Sequence, residues 1–281
     1  MGDSDVELIQ RILADAKSGQ LQLPSPPEFA QELHTAIEEE SRDTAYVARI
    51  IQYDPGLSTR IIQVANSALF RGRSKVTSCK EAVTRIGLMT LKQLVLSFTL
   101  GNAFKAENSR VKTLMTECWD YGREVAVMSF IVAIRTPGTD PHRALMAGLM
   151  HNIGELAVLQ YVDDYPDLLD SAPALLKMRE KLRAPLGTLI LRSWKFDHEL
   201  AAIPTEVGNW MRDVGTENDY ADIVNIARAF ISLDKGAGAD HPPLFELPAF
   251  KKNALCQLGP EECLQTLKDA GAELGVVKAL L

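Results

Sequence analysis

Apolar residues recur every three or four positions along almost the whole chain. This spacing places them on one face of a helix, whereas the strict alternation of a half-buried strand never lasts long enough to predict one. The pattern therefore predicts an all-α protein.

The first part of the chain is divided into short predicted helices by residues that start or stop a helix. Asp54 and Pro55 suit the N-cap and first position of a helix, Ser78 suits an N-cap, and Gly87 ends the helix that Ser78 begins. We expect the helices from about residue 20 to about residue 105 to form a compact bundle. The predicted segments are 6–17, 28–40, the stretch from Val47 to Ile51, 55–65, 79–86 and 90–104.

A second series of helices follows the polar stretch KAENSR. Among them, 144–158 is apolar almost all round, which predicts central burial. The predicted segments are 119–134, 144–158, 175–181, 186–195, 198–212, 220–233, 248–258 and 260–270.

Composition and charge exclude several classes of function. The 281 residues carry a net charge of −7 and a pI near 5.4, which argues against electrostatic binding of nucleic acid or anionic lipid. The start of the chain is not a signal peptide and no apolar run is long enough to span a membrane, so we expect a cytoplasmic protein. No phosphate-binding glycine loop or nucleophile elbow is present, and the four cysteines form no CxxC pair, so no cofactor is predicted.

Six motifs follow one another along the chain. In order they are LPSPPEF, YVARIIQYDPGLSTRIIQVANSALF, SCKEAVTRIGLMTLKQLVL, ECWDYGREVA, ALMAGLMHNIGELAVL and the segment from Gly187 to Trp194. This succession resembles the HDOD family. The resemblance implies the helical fold of HD phosphohydrolases and a role in bacterial signalling. It also implies an N-terminal helix at 1–19, an N-terminal helical subdomain at 20–105, and an HD-like subdomain with a C-terminal helical extension at 106–281.

The metal site of HD enzymes uses a histidine, an adjacent His-Asp pair and a later aspartate to hold a divalent cation and activate water. In GLMHNIG the pair corresponds to His151 and Asn152, and an amide is a poor ligand for a hard cation. No histidine lies between His34 and His142, and Arg228 stands where the last aspartate is expected. The resemblance therefore implies a degenerate site that binds no metal and catalyses nothing.

Three functions remain open at this point. The favoured one is a regulatory module that binds signalling proteins in trans, such as histidine kinases, response regulators or cyclic-di-nucleotide enzymes. The second is a divergent phosphohydrolase acting on a nucleotide or cyclic dinucleotide, with metal ligands among Asp140, His142 and His151. The third is a sensor whose cavity, near His151 and Arg228, holds an anionic ligand such as a nucleotide phosphate.

Two further groups are candidates for ligand or partner contacts. Asn66 and Ser67 lie at a turn, where either side chain can also bond to nearby backbone. Arg71 and Arg73 lie on a basic loop that could contact an acidic surface.

In the HD-like half, Arg183 and Asn209 occupy segments where metal-rich relatives carry further histidines.

Overall fold

The structure is a computed structural model of the chain. It describes residues 12, 14, 32–33, 35–36, 44–70, 72, 74–164, 166–236 and 241–273. All regular elements in these ranges are helical, which confirms the all-α class. Within the same ranges no helix is both long and apolar enough to cross a bilayer.

The α-helices are numbered here in chain order. They are α1 (Thr44–Gln52), α2 (Pro55–Ala65), α3 (Cys79–Ile86), α4 (Leu88–Ala103), α5 (Ser109–Ile134), α6 (Pro141–Met150), α7 (Ile153–Asp163), α8 (Ala172–Ser193), α9 (His198–Glu206), α10 (Tyr220–Asp234), α11 (Pro248–Lys251) and α12 (Pro260–Glu273). Short 3₁₀ turns cover Ala68–Phe70, Pro166–Asp170, Leu244–Glu246 and Ala254–Gln257. The predicted helices 6–17 and 28–40 fall mostly outside the described residues.

The chain divides into two compact units. The first comprises Met1–Ser25 with Gly101–Gln257, and the second comprises Pro26–Leu100 with Leu258–Leu281. The subdomain boundaries implied by the resemblance, after residues 19 and 105, stay predictions.

Capping residues set the helix ends of the second unit as the sequence predicts. The Asp54 carboxylate accepts from the Leu57 amide at 3.0 Å, and the Ser78 hydroxyl accepts from the Glu81 amide at 3.3 Å. Gly87 ends α3 with a φ of 81°, a left-handed value that a glycine tolerates. Helices α1, α2 and α3 pack on one another through buried aliphatic side chains, which include Ile51, Ile61, Val64 and Val83.

The 26-residue helix α5 is the central element of the first unit. It packs against α6, α7 and α10, while α8 packs against α7 and α9. It begins ten residues before the predicted start at 119, because the Asn108 side chain accepts from the Arg110 amide and caps it there.

The prediction of one continuous helix over 144–158 was wrong. The chain breaks at His151 and Asn152, between α6 and α7. No proline or helix-ending glycine marks the break. At this point the Asn152 side chain bonds to the backbone of α5, a tertiary contact that the apolar pattern does not report. The segment is central and buried, as its apolar character predicted.

The structure also corrects two neighbouring boundaries. The segments 175–181 and 186–195 belong to a single helix, α8, which continues through Pro185. By contrast, the helix predicted over 198–212 is shorter than expected, because it ends at Glu206, two residues after Pro204. Proline restricts the preceding residue without always ending a helix, so these two boundaries could not be set from the sequence.

Candidate functional site

A cavity of about 280 Å³ opens in the first unit, where α5, α8, α9 and α10 surround the break between α6 and α7. The break turns the backbone so that His151 and Asn152 both face the cavity. Arg228 enters from α10. The structure therefore brings together the three residues that the sequence placed at a degenerate HD site.

His151 is buried and electrically neutral. Its Nδ1 lies 2.6 Å from the Gly148 carbonyl oxygen, and since a carbonyl only accepts, Nδ1 carries the proton. Its ring meets the Tyr121 ring edge to face, with centroids 5.6 Å apart. Burial, together with the positive charges of Arg228 and Arg183, lowers the pKa of His151 to about 3.

Asn152 holds the start of α7 against α5. Its Nδ2 donates to the Cys118 carbonyl oxygen at 2.8 Å and approaches the Cys118 Sγ at 3.1 Å. Only an amide can donate here, so an aspartate would lose this bond. Burial raises the pKa of the Cys118 thiol, and the charge of Glu155 adds to the effect, so Cys118 is not a reactive thiolate.

Arg228 places a guanidinium in the cavity. It lies over the Trp210 ring, with its Cζ 4.4 Å from the ring centroid, and Tyr121 lines the same cavity. Its Nε is shielded from solvent and has no hydrogen-bond partner among the described residues. Burial lowers the pKa of Arg228 from its ordinary value, yet a guanidinium stays charged in proteins.

The remaining charges leave the cavity net positive. Arg179 forms a salt bridge with the buried Glu155. Burial raises the pKa of Glu155 above its ordinary value, and the charge of Arg179 offsets only part of this rise. Arg183 lines the cavity without a salt bridge among the described residues. Three guanidinium groups thus face two carboxylates, Glu155 and the exposed Glu117. An anion entering the cavity would find cations that are not already neutralised.

The residues present do not fit the divalent cation of HD enzymes. Beside the neutral His151 lie a tyrosine, an amide already bonded to backbone, and a guanidinium that would repel a metal ion. Across the described part of the chain no three His, Cys, Asp or Glu side chains are grouped to hold a metal. Asp140 and His142 stand at the start of α6, about 14 to 16 Å of helix rise from His151, so they do not join it.

Some cavity residues were not identified from the sequence. Arg183 lies in a segment where metal-rich relatives carry a histidine, and it lines the cavity. Asn209, the other residue in such a segment, is exposed, and the nearby Val207 lines the cavity instead. Tyr121, Glu155 and Arg179 were missed. Tyr121 lies on α5, within the motif ECWDYGREVA. The first histidine of an HD site is expected on this helix, so the position of Tyr121 there is the signal that could have identified it.

The candidates of the second unit serve local structure. Asn66 Nδ2 donates to the Val76 carbonyl oxygen at 2.8 Å, and its Oδ1 accepts from the Val76 amide at the same distance. Ser67 is buried and its hydroxyl donates to the Val64 carbonyl oxygen at 2.7 Å. Arg71 and Arg73 lie outside the described residues.

The fold is all-helical, and one cavity of it brings together the residues that the resemblance places at a degenerate HD site. The family model of the HDOD domain matches residues 23–207. The chain belongs to the HDOD family.

Solved structures share this fold. A crystal structure of a protein from Shewanella amazonensis SB2B, provisionally named a metal-dependent phosphohydrolase, is 26% identical with a TM-score of 0.72, and the match covers 95% of this chain and 99% of that one. An HDOD domain protein of unknown function from Geobacter sulfurreducens is 17% identical with a TM-score of 0.65, covering 99% and 97% of the two chains.

Among curated proteins, an uncharacterized protein of Treponema pallidum is 25% identical over 147 residues. The match covers 52% of this chain and 28% of that protein, so it spans well under two thirds of the length of this relative.

Proposed function

We propose that this chain is a non-enzymatic regulatory module of bacterial signal transduction, whose HD-derived cavity binds a phosphate-bearing anion in place of a metal. Membership of the HDOD family supports the regulatory role. The observation that carries the anion site is Arg228, a cation that lines the cavity at the expected metal-ligand position and forms no salt bridge among the described residues. Its protein partners act in trans, and we propose histidine kinases, response regulators or cyclic-di-nucleotide enzymes.

The chemistry of the cavity favours binding over hydrolysis. An HD enzyme lowers the pKa of water with its metal, and the donor set here cannot supply that effect. A guanidinium instead pairs with a phosphate through two parallel N–H donors. Since about 280 Å³ is at the lower limit of ligand pockets, the cavity fits a phosphate and adjoining atoms rather than a whole dinucleotide.

Anion binding is tested by thermal unfolding with inorganic phosphate, AMP and GMP as probes. A bound probe should raise the Tm of the wild type, since a ligand at 100 times its Kd stabilises the native state by about 2.7 kcal/mol. Arg228→Gln should abolish the rise. Arg192→Gln, which removes an exposed arginine of α8, is the matched control and should keep it. Equal responses from both variants would contradict the anion site.

The absence of catalysis is tested separately by metal analysis of purified protein with and without added manganese, and by assays on nucleotides and cyclic dinucleotides. We expect no stoichiometric metal and no turnover. Stoichiometric metal, with turnover that His151→Ala removes, would support the divergent phosphohydrolase instead.

A further inference from the structure

A second concave surface lies in the first unit, and we call it the basic groove. Its volume is about 530 Å³, within the range of small-molecule pockets. It is formed by the segment 104–106, one face of α5 and Leu156 of α7. The first cavity uses other residues of α5 and α7, so the two sites share helices without sharing lining residues.

The floor of the basic groove is apolar. Phe104, Met115 and Leu156 are buried there, and the partly exposed Trp119 continues the same surface. On α5, Met115 and Trp119 are four residues apart, so they lie on one helix face. An apolar body of a ligand could be buried against this floor.

The rim of the groove is cationic. Lys105, Lys112 and Arg123 line it, and among its described lining residues none is acidic. The two lysines are exposed and form no salt bridge among the described residues. Arg123 contacts Asp120 through Nη2 at 3.2 Å, while its Nε is shielded from solvent with no described partner. Three cations around an apolar floor contrast with the net charge of −7 of the whole chain.

We infer that the basic groove binds a small anionic amphiphile, a molecule whose apolar body covers Trp119 and whose carboxylate or phosphate head pairs with Arg123 and the lysines. Arg123 lines the groove beside the apolar floor, so its guanidinium can hold the head through a charge-assisted hydrogen bond. The concave shape, built from three chain segments, favours a small ligand over an extended peptide.

Isothermal titration calorimetry with three probes of equal chain length tests this site on the full chain. We expect decanoate to bind, decanol to bind about tenfold more weakly, and decyltrimethylammonium not to bind. Equal affinity for decanoate and decanol, or no binding of any probe, would overturn the proposal.

Substitutions then locate the head group. Arg123→Gln should weaken decanoate about tenfold and leave decanol unchanged, and the exposed Lys112→Gln, which cannot disturb the core, should weaken decanoate about threefold. Lys251→Gln, an exposed lysine of α11, is the control and should have no effect. Arg228→Gln should also leave the affinity for decanoate unchanged. Loss of decanoate binding in Arg228→Gln alone would place the probe in the first cavity and overturn the groove, independently of the phosphate test.

Discussion

At the residue scale, each residue that the resemblance places at an HD ligand position has a structural contact of its own. His151 donates to the Gly148 carbonyl, Asn152 donates to the Cys118 carbonyl, and Arg228 contacts Tyr121 and Trp210. The bonds of His151 and Asn152 satisfy groups that would otherwise be buried without partners. The degenerate site is therefore built into the packing of the first unit, and restoring one ligand would cost stability without restoring a metal site.

His151 makes stability depend on pH. Its folded pKa of about 3 lies below its ordinary value of 6.5, so at higher pH both states are neutral, and as pH falls below about 6.5 only the unfolded chain gains the proton. Between about pH 7.5 and about pH 5.5 the native state should lose about 1.4 kcal/mol through this residue. Urea unfolding of the wild type and of His151→Gln at both pH values measures this loss of stability, and His198→Gln, a change at an exposed histidine, is the control. An unchanged pH dependence in His151→Gln would contradict the buried neutral imidazole.

Asn152→Asp tests whether the amide is structural. The carboxylate cannot donate to the Cys118 carbonyl, so the free energy of unfolding should fall by about 1 to 3 kcal/mol. Manganese affinity should not rise, because the Arg228 guanidinium remains in the cavity. Denaturant titration with and without manganese measures both effects, and the exposed Asn209→Asp is the matched control. A stable variant that gains a metal would show that the site is one substitution from function.

The sequence identified those positions whose chemistry departs from a known motif, and it missed those defined only by packing. His151, Asn152 and Arg228 correspond to a ligand pattern, so their convergence could be predicted. Glu155 and Arg179 belong to no pattern, and their salt bridge joins two helices whose contact only the fold reveals. Asn66 and Ser67 were identified as turn residues, and the structure gives each a local bond.

At the element scale, the break between α6 and α7 could not be predicted because it depends on other helices. The apolar pattern over 144–158 is continuous, and it correctly indicates burial. What ends α6 is the bond from Asn152 to α5, together with the close approach of α7 to α8 at Gly154. The caps at Asp54 and Ser78 were predictable because both partners lie within one helical turn.

Gly154 should be intolerant of any side chain. A Cβ there would lie 1.8 Å from the Arg183 carbonyl oxygen and 2.5 Å from the Gly187 nitrogen, both backbone atoms of α8 that cannot move aside cheaply. Gly154→Ala should therefore destabilise the chain by about 3 kcal/mol or more, since α7 and α8 must separate. Thermal unfolding measures the loss, and Gly259→Ala, where a Cβ would meet no atom within 4 Å, is the control. An unchanged Tm for Gly154→Ala would contradict this helix contact.

At the scale of the whole molecule, the all-α class followed from periodicity, and the family from motifs spread along the chain. The division into two units could not be predicted from such patterns, because each unit combines segments that are distant in sequence. In the first unit, the segment after α10 is fixed by a buried polar network around Asn253. Sequence patterns report neighbours along a helix, whereas this network joins residues more than one hundred positions apart.

Asn253 should be essential for closing the first unit. Its Nδ2 donates to the Thr136 hydroxyl at 2.9 Å and to the Asn218 Oδ1 at 2.8 Å, and its Oδ1 accepts from the Leu255 amide at 3.0 Å. Asn253→Ala removes these bonds and leaves buried groups without partners, so the free energy of unfolding should fall by about 2 to 4 kcal/mol. Denaturant unfolding compares it with Lys251→Ala, an exposed change in the same segment that should cost under about 0.5 kcal/mol. Equal stabilities of the two variants would mean that the network does not hold this segment, and the closure would then rest on buried apolar side chains such as Leu247 and Phe250.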